Sequence, residues 1–567
     1  MPPKSRQAQW THQAYQYEPL PLSRMIRMIE IDPSQDWALP LSCHIKIANL
    51  DAVPSYEALS YRWDKPKDSL LLCGKELRIR RNLADALKRL RLPDARRYIW
   101  ADGVCINQRD DREIQCQIKL MRDIYWKATR VLVWLGEDTD NEAEQSFDRL
   151  KHIALSGYDP PPPRSSWWDS VAAFYRCEWF SRLWVFQEIA MATSASVHWG
   201  ASSIPWETVG TASTRIRTLH LNAVMHHVMP NVYNAYLFNK TFAGDIQESF
   251  LYMLQVSRKL QCHLPKDSIH ALSAFATVDF KVQDFSAGVK ERTMTLYRRF
   301  ARKILRRMRT LDLLSAVQHH SPAISTPTWV PRWDIRLVNT LAPLGSAVSR
   351  YTASRQLPAP RIKWIGYRGS TLCTSGLEFD TISEVKEEMT GLKDGSKMAA
   401  VFVNVLTQWL KIASYYPTGE PLARVGCFTL TAGMDAYAMR VEDESQHLAD
   451  FTAFWAEYGY GMKWLLSSEN GILGGDADSF LMAAGMASGG RKLFNTVTGY
   501  VGIGPASSQP GDMICVLAGG TVPFIVRRDV RSRRLSRRFA LIGEAYVHGI
   551  MHGEATGRYA NGEQAIE

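Results

Sequence analysis

The pattern of hydrophobic and polar positions divides this chain into stretches of different period. Arg24 to Ile31 and Cys43 to Ile47 alternate roughly between apolar and polar, as half-buried strands do, and predict an edge hairpin. Tyr56 to Trp63 predicts a central strand, with Leu59, Tyr61 and Trp63 on one face and Ser60 and Arg62 on the other. Leu70 to Cys73 and Leu77 to Ile79 flank Gly74-Lys75, a hairpin signal. Asn82 is placed to cap a helix over Leu83 to Leu90, which Leu92-Pro93-Asp94 stops. Tyr98-Ile99-Trp100 is then a short apolar run ending on Asp102 and Gly103. Arg109-Asp110-Asp111 opens a helix with carboxylates at its positive end, and Ile114, Ile118, Met121 and Tyr125 recur at helical spacing. Val131 to Leu135 is a second apolar run, closed by Gly136. Strand, helix and strand within about forty residues predict a crossover unit and a parallel sheet.

Further along, Asp138 to Ile153, Trp167 to Tyr175 and Glu178 to Met191 read as helices, and Ala195 to Trp199 as a last strand. Tyr158 to Pro163 is a stiff proline loop. Alternating strands and helices make the first domain α/β. Thr208 to about Leu314 has a helical period, and Thr326-Pro327-Thr328-Trp329-Val330-Pro331-Arg332-Trp333 suits a rigid connector. From Ser370 onward the pattern turns to short strands, with helices expected at Val401 to Tyr415 and His447 to Trp464. Strands separated by glycine turns between Arg491 and Glu554 predict a small sheet or barrel. The expected divisions are an arm and edge hairpin (1–53), the α/β domain (54–200), a mainly α-helical region (201–335), an α+β, mostly β C-terminal region (336–554) and a tail (555–567).

Composition narrows the function classes. With 46% apolar and 22% charged residues in 567, the chain is an ordinary globular protein too long for one core. Its net charge of +11 is concentrated in Arg298 to Arg309 and Arg527 to Arg538. Neither run carries interleaved aromatics, so specific nucleic-acid binding is not expected. Nine scattered cysteines, with no C-x-x-C pair, argue for reduced thiols in the cytoplasm. No run of eighteen apolar residues spans a membrane, and no apolar signal core opens the chain. His548 and His552 stand four apart near Glu544 and Glu554, but Gly549 and Gly553 disfavour the helix that zinc would need, and no metal site is expected. No phosphate-binding loop, H-E-x-x-H, G-x-S-x-G or dinucleotide fingerprint occurs.

Three blocks in order carry a family resemblance. They are Tyr56-Glu57-Ala58-Leu59-Ser60-Tyr61-Arg62-Trp63, then Trp100-Ala101-Asp102-Gly103-Val104-Cys105-Ile106-Asn107-Gln108, then Trp179-Phe180-Ser181-Arg182-Leu183-Trp184-Val185-Phe186-Gln187-Glu188. Together they resemble the fungal heterokaryon-incompatibility (HET) domain. Pro265 to Leu272, Thr326 to Trp333 and the segment around Gly543 to Met551 resemble blocks that follow it in longer members.

The resemblance implies a fold similar to the Toll/interleukin-receptor (TIR) domain, a flavodoxin-like α/β domain with a parallel sheet. Some members of that fold cleave the nicotinamide–ribose bond of NAD through a helical Glu, and Glu188 matches that position. Trp184, four residues earlier, would lie beside its carboxylate on a helix. Asp102, Ser60, Arg62 and Trp63 leave their strands at the carboxyl edge, where such sheets bind ligands, and would line a nucleotide pocket with Arg62 on phosphate. Asp102 as loop scaffold and Glu188 as a structural acid paired with Arg62 or Arg182 remain open alternatives. The function implied is a cell-death effector triggered by non-self recognition. NAD would be a substrate, and no cofactor would be required. The alternative is a non-catalytic adaptor that signals by self-association of the HET domain. An open pocket holding Glu188 with Arg62 and Asp102 would favour the enzyme, and a buried, locked Glu188 the adaptor. A protein partner or sensor is implied without being named by any motif.

Overall fold

In a computed structural model, the described residues are 14–21, 24–36, 39–64, 66–159, 161–162, 165–218, 228–242, 249–273, 275, 291–318, 327–335, 340–342, 350–366, 369–390, 395–413, 415–436, 438–459, 474–529, 538–557 and 565–566. The arm before residue 14, Pro160 and Pro163 of the proline loop, most of the basic run 527–538 and residues 558–564 of the tail lie outside them. The chain forms two compact units. The first takes the described residues up to 242 with 260–275, and the second takes 249–259 and 291 onward. Residues of the mainly α-helical region 201–335 fall in both units.

The first unit is built on a nine-stranded mixed sheet. Its strands are β1 (Met25–Ile31), β2 (Ser42–Asn49), β3 (Glu57–Tyr61), β4 (Pro66–Leu72), β5 (Lys75–Arg80), β6 (Arg97–Trp100), β7 (Val131–Trp134), β8 (Ala195–Trp199) and β9 (Ser202–Pro205). They lie in the order β5-β4-β2-β1-β6-β3-β7-β8-β9. The four strands β6, β3, β7 and β8 are mutually parallel. In chain order they read second, first, third, fourth, so the direction of winding reverses beside β3. In such a sheet the crevice for ligands opens at the carboxyl ends around that reversal.

The helices of this unit follow from local chemistry. They are α1 (Arg81–Leu90), α2 (Asp102–Cys105), α3 (Asp111–Lys127), α4 (Ala143–Ala154), α5 (Trp168–Tyr175) and α6 (Leu183–Ala190), with α7 (Trp206–Thr218) and α8 (Met229–Thr241) after the sheet. Asp110 caps α3 by accepting from the amides of Arg112 (2.9 Å) and Glu113 (3.3 Å). The β4–β5 hairpin turns through Cys73 (φ 51°) and Gly74 (φ 74°), the two left-handed residues that a two-residue turn requires.

Three expectations are corrected. The β1–β2 hairpin is not at an edge: β1 pairs with β6 and β2 with β4, so residues before 54 belong to the domain's sheet. Asn82 does not cap α1, whose first residue is Arg81; its side chain instead donates to Arg62 O (2.8 Å) and accepts from Trp134 Nε1 (2.9 Å). β8 is not the last strand, since β9 adds to it antiparallel.

The second unit carries an antiparallel sheet of eight strands. Its main path runs Phe539–Glu544, Phe524–Arg528, Met513–Leu517, Gly376–Glu388, Arg491–Thr496, Val501–Pro505 and Tyr546–Val547. The first and last of these are joined by Ala545 alone, which obliges the sheet to curl into a barrel. Gly504 shows how tight the curl is: a Cβ there would lie 2.4 Å from Ile525 Cδ1. Helices Gly395–Leu410, Leu422–Thr431, Glu444–Tyr458 and Ala477–Ser488 belong to the same unit. Inside it, Arg491 and Glu544 form an almost fully buried ion pair (2.7 Å), and Glu544 also accepts from the amides of Leu341 and Ala342 (2.7 and 3.3 Å). No disulfide joins any of the nine cysteines, and no helix among the described residues is long and apolar enough to cross a membrane.

Candidate functional site

The sequence blocks converge at the carboxyl edge of β3 and β6. Ser60 sits in β3 with both faces of the strand covered. Glu188 lies near the end of α6, which Arg182 starts from extended backbone after the 3₁₀ turn Glu178–Ser181. The Ser60 hydroxyl donates to Glu188 Oε2, and Trp179 Nε1 donates to Ser60 Oγ at 3.0 Å. A chain of donors, indole to hydroxyl to carboxyl, thus ends on an acid that is only 4% exposed. Burial pushes the Glu188 carboxyl up to about 7; the Arg182 charge and the Ser60 hydrogen bond pull against this, and the Asp102 charge adds to it. Near neutral pH this acid is divided between its two protonation states.

Beside this pair, Trp63 follows β3 and Asp102 opens α2 after β6. Trp63 Nε1 donates to Asp102, at 3.2 Å from Oδ1 and 3.0 Å from Oδ2, while the Arg80 guanidinium lies 4.2 Å from the Trp63 ring centre. Burial raises the Asp102 carboxyl pKa, against the Arg182 charge, the neighbouring Tyr61 hydroxyl, the bond from Trp63 and the Gly103 amide. Tyr61 is buried, and desolvation and Asp102 hold its phenol well above the ordinary range. Gly103 makes this packing possible: a Cβ there would stand 2.4 Å from the Tyr61 hydroxyl. Arg182 donates to the Tyr61 carbonyl, fixing its positive charge at the edge of the cluster.

Of the expected site residues, the structure joins Ser60 to Glu188 and Trp63 to Asp102, with Asp102 in electrostatic reach of Glu188. Arg62 is elsewhere. Its side chain turns out to solvent and pairs with exposed Glu178 at 2.7 Å, so it does not face the acid. Trp184 also departs from expectation: its indole donates to Asp267 Oδ2 (3.2 Å), in the short helix Asp267–His270. The aromatic next to the acid's partner is Trp179, nine positions before Glu188. Trp179, Arg182 and Tyr61 were visible in the blocks but carried no motif of their own. Arg80 gave no signal, because only the β4–β5 hairpin brings it over Trp63.

Elsewhere, His548 and His552 do not share a helix, since Gly549 (φ 87°) and Gly553 (φ 102°) turn the chain. His548 Nε2 lies 3.0 Å from Glu420, and Nδ1 lies 3.1 Å from the Tyr546 hydroxyl. Among the described residues no group of three or more His, Cys, Asp or Glu is placed to hold a metal.

Chemically, the buried acid suits two tasks. As a carboxylate it would stabilise a developing cation, and as an acid it would hold a proton for a leaving group. Both need access that a 4% exposed side chain does not have in this arrangement.

Comparison with known proteins gives two family matches and two relatives. Residues 56–188 match the heterokaryon incompatibility protein (HET) family, and residues 433–564 match the Het-6 beta-barrel domain. The first match runs from Tyr56, one residue before β3, to Glu188 itself. The chain is 24% identical to heterokaryon incompatibility protein 6, OR allele, of Neurospora crassa, over 94% of each chain. It is 25% identical over 149 residues to vegetative incompatibility protein HET-E-1 of Podospora anserina, covering 25% of this chain and 9% of that one. No solved structure gives a significant match.

Proposed function

We propose that this chain, which carries a HET domain at 56–188 and a Het-6 β-barrel domain at 433–564, acts in heterokaryon incompatibility as a cytoplasmic effector of cell death after non-self recognition. The observation that carries this reading is the end-to-end likeness to a heterokaryon incompatibility protein, 94% of each chain. The HET domain is the effector part, and the second unit restrains it or receives the signal.

For the chemistry, we take the HET domain to be TIR-like, a reading supported by the second-first-third-fourth order of its parallel strands. Its reaction would be cleavage of NAD at the nicotinamide–ribose bond. The C–N electron pair would leave with nicotinamide, the Glu188 carboxylate would stabilise the ribosyl cation, and water would add to the anomeric carbon and lose its proton to that carboxylate. Asp102 and Trp63 would border the substrate. Because Glu188 is covered at rest, this reading requires an activating rearrangement that opens the edge of the sheet.

A second reading has its own support. Glu188 is buried and bonded to Ser60, and Arg62 faces away from it. Those facts favour an adaptor that signals by self-association of the HET domain, with Glu188 as a structural acid. NAD consumption by the purified full-length chain, crowded and dilute, compared with Glu188→Gln separates the two. Loss of NAD that vanishes in the variant supports cleavage. Absence of NAD loss, together with cell killing that survives Glu188→Gln, supports the adaptor.

A further inference from the structure

The second unit holds a concentration of positive charge that the proposed function does not use. The helix Thr293–Met308 buries Leu296, Tyr297, Phe300, Ala301, Ile304 and Leu305 on one face. Its other faces and its end carry Arg298, Arg299, Arg302, Lys303, Arg306, Arg307 and Arg309, and no Asp or Glu lies between 293 and 311. Arg299 is paired with Glu291 (2.9 Å). Against this helix packs a two-stranded hairpin, Lys363–Ile365 with Thr371–Cys373, which adds Arg361 and Lys363 and no acid between 361 and 366.

Geometry ties the two elements into one surface. The Arg302 and Arg306 guanidinium carbons lie 5.3 and 5.0 Å from the Trp364 ring centre, so the hairpin's aromatic is set among the helix arginines. Desolvation lowers the Arg302 pKa, and the charges of Arg306 and Arg298 add to it. Arg306, Arg307, Arg309, Arg361 and Lys363 are exposed, and so is Ile365, at 49%, beside the turn at Gly366 (φ 77°).

We propose that the face formed by residues 298–309 and the hairpin strand 363–365 is a docking surface for anionic phospholipid headgroups. Two features select this partner over a nucleic acid. The Trp364 ring is engaged by guanidinium groups, so it is not set out as a platform for base stacking. The exposed apolar side chain is aliphatic Ile365, on the same strand face as exposed Lys363, and a basic residue beside an aliphatic one is what a headgroup layer accepts at its boundary with the acyl chains. The contact is peripheral, because the apolar face of the helix is already used in packing.

The test is co-sedimentation of the full-length chain with vesicles of phosphatidylcholine alone and of phosphatidylcholine containing phosphatidylserine. Binding is expected only with phosphatidylserine, and it should fall steeply with salt. Each basic residue at an anionic surface is worth about a factor of five, so Arg306→Gln with Arg307→Gln should weaken binding about 25-fold. Lys363→Gln should weaken it about five-fold by the same rule, and circular dichroism checks that each variant is folded. Ile365→Ser should weaken vesicle binding without changing its salt dependence. Equal binding to both vesicle types, or to wild type and the double variant, would overturn the proposal. So would tighter binding of a single-stranded oligonucleotide that is lost in the same double variant.

Discussion

Replacing Glu188 by Gln tests the central feature of the HET domain without requiring any knowledge of its substrate. The carboxyl titrates near 4.5 in an unfolded chain and at about 7 in the fold, because burial opposes its charge. At about 1.4 kcal/mol per pH unit, keeping it ionised in the fold costs about 3 kcal/mol. The sign follows from which state binds the proton more tightly. The folded state does, so the domain has its full stability from this group below pH 4.5 and loses it progressively as pH rises to about 7. Gln keeps the shape and can still accept from Ser60, but it never carries the charge. Its amide N–H brings a new buried donor, which costs about 1 kcal/mol where no acceptor faces it.

The variant should therefore be about 2 kcal/mol more stable than wild type at pH 8, or roughly 4–8 °C in the unfolding midpoint of a domain this size. At pH 5 it should be equal or slightly less stable. Thermal unfolding of both proteins at the two pH values, followed by circular dichroism, measures the difference directly. A Gln variant that is less stable at pH 8, or whose offset from wild type is the same at pH 5 and pH 8, would refute the assignment of a strained buried acid.

Three other substitutions probe the two units. Gly103→Ala should destabilise by about 2 kcal/mol, because its Cβ would stand 2.4 Å from the Tyr61 hydroxyl, and Tyr61→Phe in the same chain should recover part of the loss in a double-mutant cycle. Arg258 is 4% exposed and donates to the carbonyls of Ala316 (2.6 Å), Arg332 (2.9 Å) and Ile335 (3.1 Å), so Arg258→Met should cost about 3 kcal/mol in a denaturant titration by orphaning one buried and two part-buried acceptors. Arg62→Ala should change stability by less than about 1 kcal/mol, since its partner Glu178 is exposed and water competes for the pair. It should also leave any NAD loss unchanged, and a large loss of activity would mean that Arg62 swings inward when substrate binds.

The elements of the first domain were legible because each is short, strongly patterned and closed by its own punctuation. Asp110 before α3 and Gly136 after β7 mark boundaries where the chain places them, while the hairpin turn expected at Gly74-Lys75 falls one residue earlier, at Cys73-Gly74. The position of β1 and β2 was not legible: alternation reports a half-covered face and says nothing of which neighbour supplies the hydrogen bonds along the edge. The site divided the same way. Ser60, Trp63, Asp102 and Glu188 meet because they lie at strand ends and on a helix that the parallel order brings together. The direction of Arg62 and Trp184 depends on Glu178 and Asp267, which lie on the exposed turn before α6 and in a helix some eighty residues away, and no local spacing encodes that. The barrel in the second unit showed the converse. Its glycines were visible as turn signals, yet Gly504 serves in a strand interior, where the curl of the sheet leaves no room for a side chain.

What remains is why an acid that costs stability sits where it does. A Gln would fill the same space, accept the same Ser60 hydrogen bond and spare the domain a buried charge. Trp179 and Ser60 are arranged to serve an acceptor at that point, and an uncharged amide oxygen would satisfy them. Arg182 is held close enough to draw the pKa down but is not joined to Glu188 in an ion pair, so the charge is tolerated without being neutralised. A purely structural role would be better filled by a neutral residue or a closed salt bridge. An acid covered at rest and set at the carboxyl edge beside Asp102 is compatible with the proposed reading of a site that opens on activation. The burial of Glu188 at rest favours the adaptor, and an effector that opens on activation would share it, so NAD loss measured under crowding bears on the choice more strongly than the resting geometry does.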